Sequence, residues 1–233
     1  MSMNVMDMTH GGFPLRTRKR LMTVTGVAAT VLAVAGLNSS AFAATTLSAG
    51  HVDVLDAEWD GAAFALHVHD ETNAVEYNPA DVVLSVPAAA KVARPTGTQY
   101  GFLGTGAQVW VLPQDQAVAT ARNVLWPGIS TEHLTSGVFA GDTVQYKLGT
   151  VTRDGAATDD FSVYKVNGST VDRYYDSGTS TSYKTKTFAV GAHDHANWAF
   201  EEPGTYQVTF TVSGTVGGVT RTATDTYTIT VTN

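Results

Sequence analysis

From Asp142 to its C-terminal end, the chain is a succession of short segments in which Thr, Val and Tyr recur and turn residues intervene. β-branched and aromatic residues favour strands, and Asn-Gly or Gly-Gly between such segments is typical of a hairpin. The segments predicted to be strands are 143–151, 161–166, 170–175, 184–190, 205–212 and 220–231. Many short strands separated by turns predict an all-β fold, a single-domain β-sandwich of the immunoglobulin-like or jelly-roll-like kind.

A hairpin is predicted near the start of this region, where Asp60-Gly61 separates two alternating segments. Side chains two apart on a strand share a face. His51 and Asp53 therefore lie on one face of the first strand, opposite its valines. His67 and His69 lie together on one face of the second strand. Because the two strands pair, these four polar side chains are expected to lie close in space.

The middle of the chain predicts two further strands and little helix. Asp81–Val86 and Ala107–Leu112 are apolar runs that end at prolines. Asn123–Gly128 is interpreted as a turn. Ser130–Leu134 is predicted to form a single helical turn with Ser130 as its cap, and Asp115–Arg122 is a weaker helix prediction.

The N-terminal region has the three parts of a secretory signal peptide. Arg16–Arg20 is basic, Leu21–Leu37 is apolar, and Ala41-Phe42-Ala43 is a small-x-small cleavage site. We therefore predict a signal peptide at 1–43 and a secreted β-sandwich surface domain at 44–233. The alternative is an uncleaved membrane anchor, but the apolar run is short for a span.

Composition excludes several classes of function. The chain contains no cysteine, so it has neither a disulfide nor a thiolate metal ligand. Its net charge of −7 becomes more negative once the basic leader is removed, which argues against nucleic acid or an anionic membrane as partner. The sequence has no His-Glu-x-x-His, no Gly-x-Ser-x-Gly and no phosphate-binding or dinucleotide-binding glycine pattern. We therefore do not expect an enzyme.

The stretch Gly191–Phe200 carries two histidines that are two residues apart, His193 and His195. On an extended chain both imidazoles point to one face and can contact the same metal ion. Zinc bound without thiolates takes three or four ligands from His, Asp and Glu. The first predicted set joins these two residues with His51, and Asp53, Asp194 or water completes it.

Other assignments remain open for the same residues. His67 and His69 either replace His51 in that set, form a second site, or are solvated surface residues. Trp198 and Phe200 either support the ligands as an apolar shell or are simply core residues. His133 is predicted to be a surface residue or a helix-end contact.

Several motifs together resemble one known family. They are G-H-V-D-V at 50–54, W-D-G at 59–61, L-W-P-G-I-S-T-E at 125–132 and H-D-H-A-N-W-A-F-x-x-P-G-T-Y at 193–206. These motifs resemble the actinobacterial surface-anchored protein domain, also called the choice-of-anchor M domain. The resemblance runs from Gly50 to about Val212.

The resemblance implies a function outside the cell. Members of the family are secreted or wall-attached and are often encoded beside ABC transporters of the zinc/manganese type. The family pattern falls on His51, Asp53, His193, His195, Asn197 and Trp198. It implies that Asn197 and Trp198 shape a metal site. Metal ABC transporter components, or another cell-surface protein, are then the expected partners.

The predicted function is extracytoplasmic binding of a divalent transition metal, with zinc first and manganese as an alternative ion, in support of a metal importer. The rival from another class is a metal-free adhesion or scaffold module whose loops at 95–106 and 154–160 contact partners. A third alternative, a metal-dependent hydrolase, needs an open coordination position in a deep pocket.

Overall fold

The computed structural model describes residues 43–233, and the description below refers to that part of the chain. The predicted signal peptide, apart from Ala43, lies outside the described residues. Among the residues that are described, no helix has the length and apolar composition needed to cross a membrane.

Strands dominate the described chain. In chain order they are β1 (Thr45–Leu47), β2 (Gly50–Trp59), β3 (Phe64–Asp70), β4 (Val75–Tyr77), β5 (Val82–Val86), β6 (Lys91–Ala93), β7 (Gln108–Leu112), β8 (Leu125–Ser130), β9 (Thr143–Arg153), β10 (Ala156–Ala157), β11 (Phe161–Asn167), β12 (Thr170–Asp176), β13 (Thr185–Ala189), β14 (His193–His195), β15 (Asn197–Phe200), β16 (Gly204–Val216) and β17 (Val219–Val231). Short 3₁₀ turns occur at Pro79–Asp81, Ala88–Ala90, Thr98–Leu103 and Ala140–Asp142.

The largest sheet has the spatial order β1-β5-β17-β16-β9-β10, and β13 also pairs with β9. Its central strand β16 alternates buried and less buried residues along most of its length, as a half-buried strand should. The buried side chains are Tyr206, Val208, Phe210 and Val212. On the other face, threonine hydroxyls pair across the strands, with Thr209 and Thr226 oxygens 2.9 Å apart.

Two smaller sheets complete the layers. One has the order β12-β11-β15-β7-β6 and the other β14-β8-β2-β3-β4. In the latter, β2 and β3 form the predicted hairpin, and Trp59 lies opposite Phe64 at its closed end. The prediction of a hairpin at Asp60-Gly61 is therefore confirmed.

The main hydrophobic core lies between the largest sheet and the two smaller ones. Phe210 of the largest sheet packs against Tyr175, with ring centroids 5.1 Å apart, and against Trp198 at 6.1 Å. Tyr206 packs in the same way on Phe200, at 5.0 Å. Trp198 and Phe200 are 1% and 0% exposed, so they are core residues. This layered arrangement confirms the prediction of an all-β sandwich.

The sequence-based assignment around residue 125 was wrong in two places. Asn123–Gly128 is not a turn, because β8 runs from Leu125 through Ser130 and pairs in parallel with β2. Ser130 therefore ends a strand and caps no helix. Pro127 is tolerated since its missing N–H faces the β14 side, where pairing extends only over residues 128–130.

The α-helix of the described residues is Gln116–Arg122, close to the weaker of the two helix predictions. It begins after Asp115, whose carboxylate accepts a hydrogen bond from the backbone N–H of Val118 at 3.0 Å. It ends at Asn123, which adopts a left-handed conformation with φ of 52°.

Candidate metal centre

Strand β8 brings the predicted ligands together because it pairs with β14 on one edge and with β2 on the other. His195 lies opposite Gly128 across the antiparallel pair, and Asp53 lies opposite the same glycine across the parallel pair. His193 and His51 lie two residues from these positions on their own strands. Three neighbouring strands thus present the four side chains on one face, as side chains two apart on a strand should.

We call His51, Asp53, His193 and His195 the four-residue cluster; one ligand atom from each lies within 4.8 Å of the others. His51 Nε2 is 3.2 Å from His193 Nε2 and 3.2 Å from Asp53 Oδ1. His193 Nε2 is 2.9 Å from the same oxygen. Ligands about 2.0–2.1 Å from a tetrahedral zinc ion lie roughly 3.3 Å from each other. The three separations in the structure lie at that value or slightly below it, at 2.9–3.2 Å.

The imidazoles of His195 and His193 are held by their outer nitrogens. His195 Nδ1 lies 2.9 Å from the carbonyl oxygen of Pro127, which can only accept, so Nδ1 carries the proton and Nε2 is free. His193 Nδ1 lies 2.9 Å from a carboxylate oxygen of Glu132. Such outer partners fix the tautomer and the ring orientation of metal-binding histidines.

Trp126 supports the His195 ring from one side. The two rings are parallel within 4°, and their centroids are 3.5 Å apart. Trp126 is itself fixed, because its indole N–H donates to the carbonyl oxygen of Gln114 at 2.9 Å. His195 therefore has little freedom to turn away from the cluster.

Gly128 leaves the space in which the ligand atoms meet. A Cβ atom at this position would lie 1.8 Å from Asp53 Oδ1 and 3.1 Å from His193 Nε2. The backbone conformation of Gly128 is an ordinary one, so space rather than φ requires glycine here. Any side chain at this position would enter the centre of the cluster.

Burial and charge give Asp53 and His195 the protonation states that metal binding needs. Burial opposes ionisation of Asp53, which is 1% exposed, but hydrogen bonds and charge from His51 and His193 outweigh it and lower its pKa. Burial, together with the charges of His51 and His193, lowers the pKa of His195 to about 4. The hydrogen bond with the Pro127 carbonyl acts in the opposite direction. An anionic carboxylate and a neutral imidazole result at neutral pH.

Asp194, which the sequence proposed as a further ligand, is not in the cluster. It lies between the two histidines on β14, so its side chain points to the opposite face. Its carboxylate there forms an ion pair with Lys165 and accepts a 2.7 Å hydrogen bond from the Tyr174 hydroxyl. We therefore exclude Asp194 from the ligand set.

Asn197 and Trp198 do not line the cluster either. The Asn197 side chain donates to Gln114 at 2.9 Å, and Trp198 belongs to the core between the sheets. Their contribution is to hold β15 in place after β14. Trp126, two residues from Gly128, provides the aromatic contact that was expected of Trp198.

His69 belongs to a second group with Asp56 and His133, which we call the Asp56 cluster. The register between β2 and β3 shifts between Asp53 and Asp56, and this bulge brings both carboxylates to the same face of the sheet. His133 Nδ1 is 3.0 Å from Asp56 Oδ2. Burial raises the pKa of Asp56 to about 6, although the charge of His133 acts to lower it. Partial burial of His133 acts to lower its pKa, but the charge of Asp56 and the hydrogen bond with it outweigh burial and raise the pKa.

His67 lies in a third group, between two glutamates. Its Nδ1 is 3.1 Å from Glu76 and its Nε2 is 3.6 Å from Glu58, and both glutamate side chains are about 40% exposed (39% and 41%). The structure thus places His67 and His69 on one face, as predicted, but in different groups. Neither replaces His51 in the four-residue cluster.

The sequence pointed to all four residues of the four-residue cluster, but it missed several residues that support it or that belong to the Asp56 cluster. The missed residues are Asp56, Trp126, Gly128, Glu132 and His133. The Trp-Pro-Gly motif was a usable signal for two of them, but it was interpreted as a turn. His133 gave no signal, since its partners come from β2 and β3.

A cleft of 310 Å³ adjoins the four-residue cluster. His51 and Trp126 form part of its wall, and the helix contributes Gln116, Ala119 and Thr120. The side chains of His51 and His193 are 22% and 25% exposed, whereas Asp53 beneath them is 1% exposed. The ligands can therefore be reached from solvent past the two histidines.

No protein-family model matches the chain, and no curated protein is significantly similar to it. Among solved structures, the chain is similar to the ASH/PapD-like domain of human CEP192 (PapD-like domain 7), with 14% identity and a TM-score of 0.21. The match covers 40% of this chain and 64% of that chain.

Proposed function

We propose that this chain is an extracytoplasmic protein that binds a divalent transition metal, zinc first, and supports a metal ABC importer. The four-residue cluster carries the proposal. Three nitrogen ligands and one carboxylate oxygen form a set that suits zinc, and imidazole and carboxylate also suit manganese and related ions.

The arrangement of the side chains supports a metal more strongly than it supports a simple hydrogen-bonded group. Two Nε2 atoms and one carboxylate oxygen converge at 2.9–3.2 Å. Without an ion, hydrogen bonds among these three atoms require protons on the two Nε2 atoms, which can carry at most one each. A neutral imidazole whose Nδ1 already donates has no proton on Nε2. A cation at the centre uses every lone pair.

The metal-free adhesion module is the less favoured alternative. That function would not require the histidines from distant parts of the sequence to meet. They do meet, although His51 and His193 are 142 positions apart in sequence. The secreted location and the importer come from the signal peptide pattern and the family resemblance, and they complete the proposal.

Zinc binding by the mature chain tests this function. Residues 44–233 without an affinity tag are titrated with zinc against a chromophoric chelator, alongside the His193→Ala/His195→Ala variant. We expect tight binding by the parent and its loss in the variant, with an unchanged β-type circular dichroism spectrum. His67→Ala, a histidine change on the same face, is the matched control and should retain tight binding.

The importer role needs a test in the native host. Deletion of the gene should impair growth when zinc is chelated, and the parent sequence should restore growth whereas the His193→Ala/His195→Ala variant should not. Restoration by the variant would contradict a role in metal supply while leaving metal binding itself intact.

A further inference from the structure

The Asp56 cluster has the features of a ligand site that the four-residue cluster does not account for. Its three members come from β2, β3 and the turn after β8, and one ligand atom from each lies within 4.8 Å of the others. The three residues combine one carboxylate with two imidazoles, the donor set that zinc shares with other divalent transition metals.

Asp56 is the observation that points to a missing partner. Its side chain is 0% exposed, and Oδ2 faces His133 Nδ1 at 3.0 Å. Its other oxygen, Oδ1, is buried and makes no well-aligned hydrogen bond in the described chain, although the Ser130 hydroxyl is close enough to lower the pKa of the carboxyl. Buried carboxylate oxygens are almost always paired, so an unpaired one needs an explanation.

His69 has the same property. Its Nδ1 is buried and makes no hydrogen bond, although Oε1 of Glu71 lies 3.1 Å away. The His69 and His133 rings are neighbours, tilted by 43° with centroids 5.7 Å apart. An ion pair between Asp56 and His133 alone leaves Asp56 Oδ1 without a well-aligned partner and His69 Nδ1 with only the nearby Glu71 carboxylate. A cation among the three residues would give Asp56 a second partner and would use a nitrogen of His69.

We propose that Asp56, His69 and His133 hold a second divalent transition metal ion beside the first. The inference rests on the proposed function only for the identity of the ion. Asp53 and His69 lie directly opposite each other in β2 and β3, so the two sites share one face of the sheet.

The second site should bind more weakly and exchange faster than the first. It offers three protein ligands instead of four, and the His133 side chain is 41% exposed. A first ion nearby also repels a second one. We expect the affinity of the second site to be at least roughly tenfold below that of the first, comparable to the loss of one supporting partner at a metal site.

The test counts zinc and cobalt(II) equivalents bound by residues 44–233, with three variants in parallel. His69→Ala/His133→Ala removes two ligands of the second site. His193→Ala/His195→Ala removes two of the first, and His67→Ala is the matched control. Because His69 is half-buried, His133→Gln, a single change at an exposed position, is measured as well, and circular dichroism checks each fold.

We expect the parent to bind two equivalents of metal. Only the weaker one should be lost in the His69→Ala/His133→Ala variant and in His133→Gln. A single equivalent that survives in the His69/His133 variant and is lost in the His193/His195 variant would overturn the second site and leave the proposed function standing. A single equivalent with the reverse pattern would support the Asp56 cluster and contradict the four-residue cluster. No bound metal in any protein would overturn both.

Discussion

His51 Nε2 and His193 Nε2 lie 3.2 Å apart, although the two residues come from strands at opposite edges of β8 and are 142 positions apart in sequence. Both atoms also lie within 3.2 Å of Asp53 Oδ1. The two facing Nε2 atoms can share at most one proton between them, whereas a cation among the three groups would engage both nitrogens and the carboxylate oxygen. The relationship is the central observation behind a metal site.

Replacement of Gly128 by alanine is expected to weaken metal binding strongly while the fold persists. The new methyl group would lie 1.8 Å from Asp53 Oδ1 and would fill the space that the ion needs. We expect a loss of zinc affinity on the order of 100-fold, the upper range for disturbance around a metal site. Gly101→Ala is the control, because a Cβ there meets nothing within 4 Å. Equal affinity in both variants would argue against the cluster as the binding site.

Replacement of Trp126 by leucine is expected to weaken zinc binding by roughly tenfold. The indole ring holds the imidazole of His195 from one side at a centroid distance of 3.5 Å, and leucine has no flat surface to replace it. Trp126→Phe retains an aromatic face and should lose less. Competition titrations compare the two variants, and a larger loss in the phenylalanine variant would contradict a role for stacking.

Asp194→Asn and Asp53→Asn should affect different properties of the protein. The Asp194 carboxylate faces Lys165 and Tyr174, so its replacement should lower the free energy of unfolding by about 1 kcal/mol and leave zinc affinity unchanged. Asp53→Asn should lower zinc affinity, because it removes an anionic ligand. Urea unfolding and zinc titration of both variants separate the two roles. Weakened zinc binding in Asp194→Asn would restore Asp194 as a ligand.

Glu201 predicts a pH dependence of stability away from the metal site. Burial, reinforced by the charges of Asp160 and Asp159, raises its pKa from 4.5 to about 7. The folded chain then binds a proton more tightly than the unfolded chain, so this residue lowers stability as the pH rises from about 4.5 through 7.

Glu201→Gln should therefore be more stable than the parent at pH 8, by about 1 kcal/mol after allowance for solvent screening, and nearly equal to it at pH 4.5. Urea denaturation at the two pH values measures the difference. Glu202→Gln, at the exposed neighbouring position, is the control. A stability difference that is the same at both pH values would contradict the proposed cause.

The sequence predicted the strands and the histidine pair because both are local features. Alternation along β16 and the Asp60-Gly61 turn depend on neighbouring residues only, and His193-x-His195 shares a face on any strand. His51 and Asp53 were included because they also share a face of one strand. Their contact with β14, however, passes through β8, which the sequence had not indicated as a strand.

What the sequence could not predict depends on pairing between distant segments. The bulge between Asp53 and Asp56 brings both carboxylates to one face, although their spacing of three places them on opposite faces of a regular strand. His133 was predicted to be a surface residue or a helix-end contact, and its partner Asp56, 77 positions away, could not be inferred from neighbouring residues. Asp194 was proposed as a ligand and lies between His193 and His195 in sequence, but alternation along β14 places its side chain on the opposite face of the strand.

The central claim is that His51, Asp53, His193 and His195 hold one ion together. The most direct test is a crystal structure of the zinc-loaded mature chain, with anomalous diffraction measured on both sides of the zinc absorption edge. We predict an anomalous peak about 2.0–2.1 Å from three imidazole nitrogens and one Asp53 oxygen, in the space beside Gly128. Full zinc loading with no anomalous peak between these four side chains would contradict the account.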